Sequence, residues 1–125
     1  MVEFTLDGRT VSAPGGELPV HAAARHGTFI PTLCHDDKLD PYGGCRMCVV
    51  EVEGEEHPPI SCSRTCEPEM VVKTQTEEVR RLRRTNLELI FSDHNAYCLP
   101  PCQNKCPSHI DILSFLKAID ESNFL

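Results

Sequence analysis

Residues 41–52 read PYGGCRMCVVEV, in which two cysteines on a glycine-rich loop run directly into an apolar, β-branched segment. Cys45 and Cys48 form a CxxC pair. Single cysteines flank it, with ten residues between Cys34 and Cys45 and thirteen between Cys48 and Cys62. A chain that offers four thiolates in this way is typical of a metal centre. The stretch therefore predicts a metal-binding loop followed by a β-strand.

An iron-sulfur cluster, a zinc ion and disulfide bonds could each use these four cysteines. Glycines at 43 and 44 let backbone N–H groups approach closely, as the sulfides of a cluster require. The ten-residue gap differs from a zinc ribbon, whose ligands usually come as two short-spaced pairs. The pattern favours a [2Fe-2S] cluster. Cys66 could replace Cys62 as a ligand, but a surplus thiol near a cluster is more often a bystander.

The residues around this loop predict a small sheet with one helix. Alternating residues 2–6, the turn Asp7-Gly8 and residues 9–13 indicate a hairpin. Residues 18–26 favour a short helix with Gly27 at its C-terminal cap, and residues 49–52 and 70–73 favour strands. We expect four or five strands in all.

A longer helix is expected after this sheet, and it should reach about Ser92. Thr74 and Glu77 have capping-box spacing, which predicts the start of this helix. One face should be formed by Val79, Leu82, Asn86, Leu89 and Ile90, and four arginines should lie mostly on the solvated side (Arg80, Arg81, Arg83 and Arg84).

A second set of candidate ligands follows. His94, Cys98, Cys102 and Cys106 recur every four residues, but prolines at 100, 101 and 107 make a continuous helix improbable. The Cys106-Pro107 ending is typical of [4Fe-4S] motifs, and only three cysteines are present locally, so His94 is the natural fourth ligand.

The chain then predicts a final helix, with Ser108 and Asp111 as candidate caps. No following element is expected to cover the apolar face of this helix, which therefore indicates a partner. The face consists of Ile112, Phe115, Leu116 and Ile119.

Several segments resemble the N-terminal ferredoxin domain of the large iron-sulfur subunit of respiratory complex I, which also opens NAD-linked formate dehydrogenases and hydrogenases. They are residues 31–34 (PTLC), 44–52 (GCRMCVVEV), 61–62 (SC) and 70–74 (MVVKT). The resemblance covers roughly residues 1–94. It implies a β-grasp fold with a [2Fe-2S] cluster under a surface loop, and one-electron transfer without substrate chemistry.

The C-terminal resemblance is mixed. In the complex I family a His-Cys-Cys-Cys [4Fe-4S] site follows the ferredoxin domain, but its cysteine spacing is two and five, whereas here it is three and three. Residues 101–112 (PCQNKCPSHIDI) are similar instead to the iron-sulfur region of the glutamate synthase small subunit and related flavoproteins. This similarity covers about residues 96–125 and implies a nearby flavin domain.

Together these features predict an α+β chain with three parts: a β-grasp [2Fe-2S] ferredoxin-like domain at 1–75, a connecting helix at 76–93, and a helical [4Fe-4S]-binding segment at 94–125. We expect it to relay electrons between a flavoprotein or NAD(P)-linked partner and another redox centre. A zinc-binding structural module without redox activity is the alternative.

The net charge and the distribution of apolar residues limit the classes of partner and the cellular location that we expect. The formal net charge of −7 argues against nucleic acid as a partner. No apolar run is long enough to insert into a membrane, and the N-terminus does not resemble a signal peptide. The sequence therefore predicts a cytoplasmic protein.

Overall fold

The computed structural model describes residues 1–95 and 99–123. They form two compact units, residues 1–93 and residues 94–125, which are considered separately. The elements of the first unit are β1 (Val2–Leu6), β2 (Arg9–Ala13), α1 (Pro19–Arg25), β3 (Glu51–Val52), β4 (Val71–Lys73) and α2 (Glu77–Ser92). The second unit contains α3 (Pro101–Asn104) and α4 (Ile112–Asp120).

A four-stranded mixed sheet in the order β2-β1-β4-β3 organises the first unit. β1 and β2 form the expected antiparallel hairpin, and its turn residues Asp7 and Gly8 both have positive φ (46° and 81°). β4 pairs in parallel with β1 and antiparallel with β3. This sheet and its helices confirm the predicted α+β class.

The core lies between the inner face of the sheet, α1 and the segment around residue 50. Alternation along β1 buries Phe4 and Leu6, while Val50 and Val72 are completely buried. α1 adds two alanines, Ala22 and Ala23, whose small side chains let the helix lie close to the sheet. The helix ends as predicted, with Gly27 in the left-handed region (φ 76°) directly after the cap residue.

The start of α2 differs from the sequence prediction. Thr76, not Thr74, is the N-cap, and its hydroxyl accepts a hydrogen bond from the backbone N–H of Val79 (3.2 Å). Thr74 is buried, and its N–H and hydroxyl donate to the two carboxylate oxygens of Asp7 (2.7 and 2.6 Å). The residue that local spacing assigned to the cap is therefore bound by a tertiary partner instead.

In the second unit, Asp111 caps α4 as predicted by accepting a hydrogen bond from the N–H of Ser114 (3.1 Å). Ser108 lies outside this cap. The apolar face predicted for α4 is half exposed within the described residues, since Phe115, Leu116 and Ile119 retain 45 to 53 % of their accessible surface.

Candidate functional site

Cys48 and Cys62 form the buried half of the cysteine site. Each is 1 % exposed. Ser61 connects them, because both its backbone N–H (3.0 Å) and its hydroxyl (2.8 Å) donate to the carbonyl of Cys48. An isolated antiparallel bridge between Val49 and Ile60 lies alongside. Two cysteines with thirteen residues between them in sequence are thus fixed next to each other by backbone pairing.

Cys34 and Cys45 form the more accessible half, on the loop between α1 and β3. Gly43 of this loop has positive φ (69°), and a Cβ there would lie 2.5 Å from the Cδ1 atom of Ile60. Arg46 also has positive φ (53°). A positive φ favours glycine at this position, whereas the role expected from the sequence, close approach of backbone N–H groups to cluster sulfides, stays a prediction.

The surroundings of Cys45 and Cys62 shift the pKa values of their thiols in opposite directions. Burial acts to raise the pKa of Cys45, but N–H groups of Met47 and then Cys34 donate to its sulfur, and the pKa is lowered overall. The Cys34 thiol also donates to it. Burial, followed by the interaction with the Cys48 thiol, raises the pKa of Cys62 to about 12.

The four thiols form one electrostatic group composed of two pairs. Cys34 donates to Cys45, and Cys62 donates to Cys48 and also interacts with the other two thiols. A binuclear cluster needs two protein thiolates for each iron and N–H donors around its sulfurs. The donor set observed here, two thiol pairs with backbone N–H groups directed at Cys45, fits that requirement.

Cys66 lies in different surroundings. It is 4 % exposed, and its N–H donates to the carbonyl of Glu17 (2.8 Å). Burial and then the Glu17 carboxylate raise the pKa of Cys66 to about 11, while Arg25 acts to lower it. The charged groups that affect Cys66 are therefore Glu17 and Arg25 and not the four thiols.

Two side chains of α2 hold the backbone of the cysteine loop, and sequence reasoning missed both. Arg83 was expected on the solvated side, but it is 9 % exposed and donates to the carbonyl of Val49 (2.8 Å). Asn86 donates to the carbonyl of Arg46 (3.0 Å). The sequence could have indicated a specific contact for Asn86, because this polar residue interrupts an apolar helix face. Nothing in the sequence distinguished Arg83 from the other arginines.

The second candidate set is only partly described. Cys98 lies outside the described residues. His94 is exposed just beyond α2, Cys102 is exposed within α3, and Cys106 is half-buried after α3. The backbone N–H groups of Ile110, Ser108 and His109 donate to the sulfur of Cys106 and lower its pKa. This ring of N–H donors resembles the one at Cys45.

Comparisons with known proteins place these features in a family context. Residues 1–77 match the family described as 2Fe-2S iron-sulfur cluster binding domain. The chain is 39 % identical over 101 residues to the mitochondrial NADH-ubiquinone oxidoreductase 78 kDa subunit of Neurospora crassa, covering 81 % of this chain and 13 % of that protein. It is 37 % identical over 102 residues to the alpha subunit of NADPH-Fe(3+) oxidoreductase of Geobacter sulfurreducens, covering 82 % and 12 %.

A solved structure extends the similarity to nearly the whole chain. A chain of the NAD+-reducing [NiFe]-hydrogenase in the H2-reduced state superposes with a TM-score of 0.70 at 30 % identity, covering 99 % of this chain and 51 % of that chain. The present chain thus spans about an eighth of the length of the two curated relatives. Within residues 1–95 and 99–123, no helix is long and apolar enough to cross a membrane.

Proposed function

Since this chain belongs to the family of 2Fe-2S iron-sulfur cluster binding domains, we propose that it relays single electrons through a [2Fe-2S] cluster bound by Cys34, Cys45, Cys48 and Cys62. The observation that carries the proposal is the grouping of these thiols into two interacting pairs with N–H donors at Cys45. The bound cluster supplies the one-electron redox chemistry. The chain itself performs no substrate chemistry in this proposal.

The protein contributes two kinds of support to the cluster. Cys48 and Cys62 are held by the bridge at Val49 and Ile60 and by Ser61, so their sulfurs are kept away from water. The Cys34 and Cys45 pair is closer to the surface, which is the side an electron donor or acceptor can approach. The β-grasp fold expected from the resemblance is the framework that would present the loop in this way.

We also propose that the C-terminal segment binds a [4Fe-4S] cluster through His94, Cys98, Cys102 and Cys106. Support comes from the N–H donors directed at the Cys106 sulfur, and from the spacing of the cysteines with proline directly after Cys106. His94→Ala should make this cluster labile while sparing the [2Fe-2S] site. Iron content and the EPR signal of the reduced protein measure both effects.

The partner in this proposal is a flavoprotein or NAD(P)-linked redox subunit or domain. The proteins to which the chain is similar are named as NADH-, NADPH- or NAD+-linked oxidoreductases, which supports such a partner. The half-exposed apolar face of α4 is the described surface best suited to packing against another chain.

Anaerobic reconstitution with iron and sulfide tests the [2Fe-2S] proposal. Replacing any one of the four cysteines by Ser should remove the [2Fe-2S] absorption and EPR signals. Cys66→Ser is the matched control, because Cys66 is buried like Cys48 and Cys62 but interacts with Glu17 and Arg25, and this variant should retain full occupancy. A colourless protein that binds zinc at the four cysteines would instead establish the zinc alternative.

A further inference from the structure

Two histidines and an aspartate converge beside the cysteine loop without being part of it. His21 lies on α1, His35 directly follows Cys34, and Asp37 lies two residues further along. One ligand atom of each side chain lies within 4.8 Å of the other two. We propose that these three side chains bind a single divalent transition-metal ion of the zinc class.

The distances suit one ion. The two Nε2 atoms are 2.9 Å apart, and Oδ1 of Asp37 lies 3.0 Å from His21 Nε2 and 3.5 Å from His35 Nε2. Zinc binds imidazole nitrogen and carboxylate oxygen at about 2.0–2.2 Å, so an ion bound to all three atoms would lie about 1 Å out of their plane. The three ligand atoms would then form one face of a tetrahedron around the ion, and a water molecule would occupy the fourth corner.

The donor set and its exposure agree with an open zinc-type site. Two imidazoles and one carboxylate are ligands that zinc accepts when it keeps a water molecule. The side chain of His35 is only 9 % exposed, that of His21 is 40 % exposed, and that of Asp37 is 83 % exposed. The site is therefore closed on the side of His35 and open to solvent on the side of Asp37, where an ion can enter.

His35 has a buried ring nitrogen, Nδ1, that makes no hydrogen bond to the described residues. Its polar contacts run through Nε2, where it meets another imidazole nitrogen, and the two rings have centroids 5.0 Å apart. An imidazole nitrogen that carries no proton offers a lone pair to a metal ion, and the two Nε2 atoms lie close enough together for one ion to bind both.

A bound ion would add a further connection between α1 and the loop that carries Cys34. His21 is fixed by a helix whose neighbouring residues Val20 and Ala22 are in the core. His35 and Asp37 belong to the loop that carries Cys34. Occupation of the site would therefore hold the Cys34 end of this loop against α1, without using any cysteine.

The proposal is tested by anaerobic calorimetry, in which the chain is first loaded with iron and sulfide and then titrated with zinc sulfate. Filling the thiols first leaves the histidine site available. We expect the wild type to bind one equivalent of zinc. His21→Gln and Asp37→Asn should each lower the affinity for zinc at least tenfold, and the visible spectrum of the cluster should not change. His26→Gln is the matched control, because His26 ends the same helix but contacts the carbonyl of Ser12 (3.1 Å), and it should bind zinc like the wild type.

X-ray absorption at the zinc edge provides a second readout. A first shell of nitrogen and oxygen at about 2.0 Å supports the site, whereas sulfur at about 2.3 Å places zinc on the cysteines and overturns it. Equal affinity in the wild type, His21→Gln and Asp37→Asn also overturns it. Because no cysteine belongs to this site, its failure would leave the cluster spectrum intact, so it is distinguishable from failure of the proposed function.

Discussion

Replacing Arg83 by Met should lower the reduction potential of the proposed [2Fe-2S] cluster. The guanidinium is buried, donates to the carbonyl of Val49 at 2.8 Å, and interacts electrostatically with Cys48. A fixed positive charge near the cluster stabilises the more negative, reduced state. Methionine keeps much of the apolar volume of Arg83 but removes this charge.

The magnitude follows from the position of the charge. Val49 is adjacent to Cys48, so two residues of backbone and side chain place the guanidinium roughly 8 Å from the Cys48 sulfur. With an effective dielectric constant of about 20, two unit charges at that separation interact by about 2 kcal/mol. For a one-electron couple this corresponds to about 90 mV. Arg83 and Cys48 are both buried, so salt screens this interaction little, and we expect a shift of this order.

Potentiometric titration monitored by EPR measures the shift in the full chain. Arg83→Lys keeps a positive charge and should recover at least half of it. Arg84→Met removes an arginine from the same turn of α2 whose side chain is 82 % exposed and paired with Glu88, so it should change the potential by less than about 10 mV. An unchanged potential in Arg83→Met at full cluster occupancy, or an equal shift in Arg84→Met, would refute the electrostatic argument.

Three further predictions concern the framework of the site. Asp7→Ala removes both hydrogen bonds from Thr74 and puts alanine at a positive φ, so urea denaturation should show a loss of about 3 kcal/mol in the free energy of unfolding. Gly43→Ala places a Cβ 2.5 Å from Ile60 at a φ of 69°, so the cluster should be lost several-fold faster in the presence of a chelator. Burial raises the pKa of Cys66 to about 11, so its thiolate fraction at pH 8 is about one in a thousand. Mass spectrometry should therefore show alkylation rising about tenfold per pH unit up to that pKa.

Matched variants separate these effects from general damage. Asp7→Asn keeps a residue that tolerates positive φ and one acceptor oxygen, so it should lose about 1 kcal/mol. Gly16→Ala also has positive φ (84°), but its Cβ would meet open space away from the cysteine loop, so cluster retention should match the wild type. Equal losses in either pair, or a rate of Cys66 alkylation that does not depend on pH, would contradict the corresponding argument.

The sequence predicted those parts of the fold that depend on local rules. The Asp7-Gly8 turn followed from the requirement for positive φ at both positions, and the strand around Val72 followed from its β-branched run. The CxxC spacing predicted the candidate ligands, although their role as ligands stays a prediction. These features depend on residues a few positions apart, whose physical preferences are visible in the chain itself.

Other features of the structure depend on contacts between residues that are far apart in sequence. Thr74 has the spacing of a helix cap, but a carboxylate 67 residues away in sequence binds it in the tertiary structure. Arg83 looks like a solvated arginine, but the carbonyl of Val49 faces its position on α2. The convergence of His21 with His35 was also missed, because a helix and a loop meet there without any periodic pattern.

The two halves of the cysteine site differ in how much change in chain length they can accept. Cys48 and Cys62 are set by the pairing of Val49 with Ile60, so adding one residue between Cys48 and Val49 or between Ile60 and Cys62 would shift the backbone register and turn side chains to the opposite face. The stretch from 38 to 42 only has to return the chain to Gly43, and doubling a flexible loop costs only about 0.6 kcal/mol. Insertions among natural homologues should therefore accumulate between Asp37 and Gly43 and be excluded next to Cys48, so spacing alone would identify the rigid half of the site.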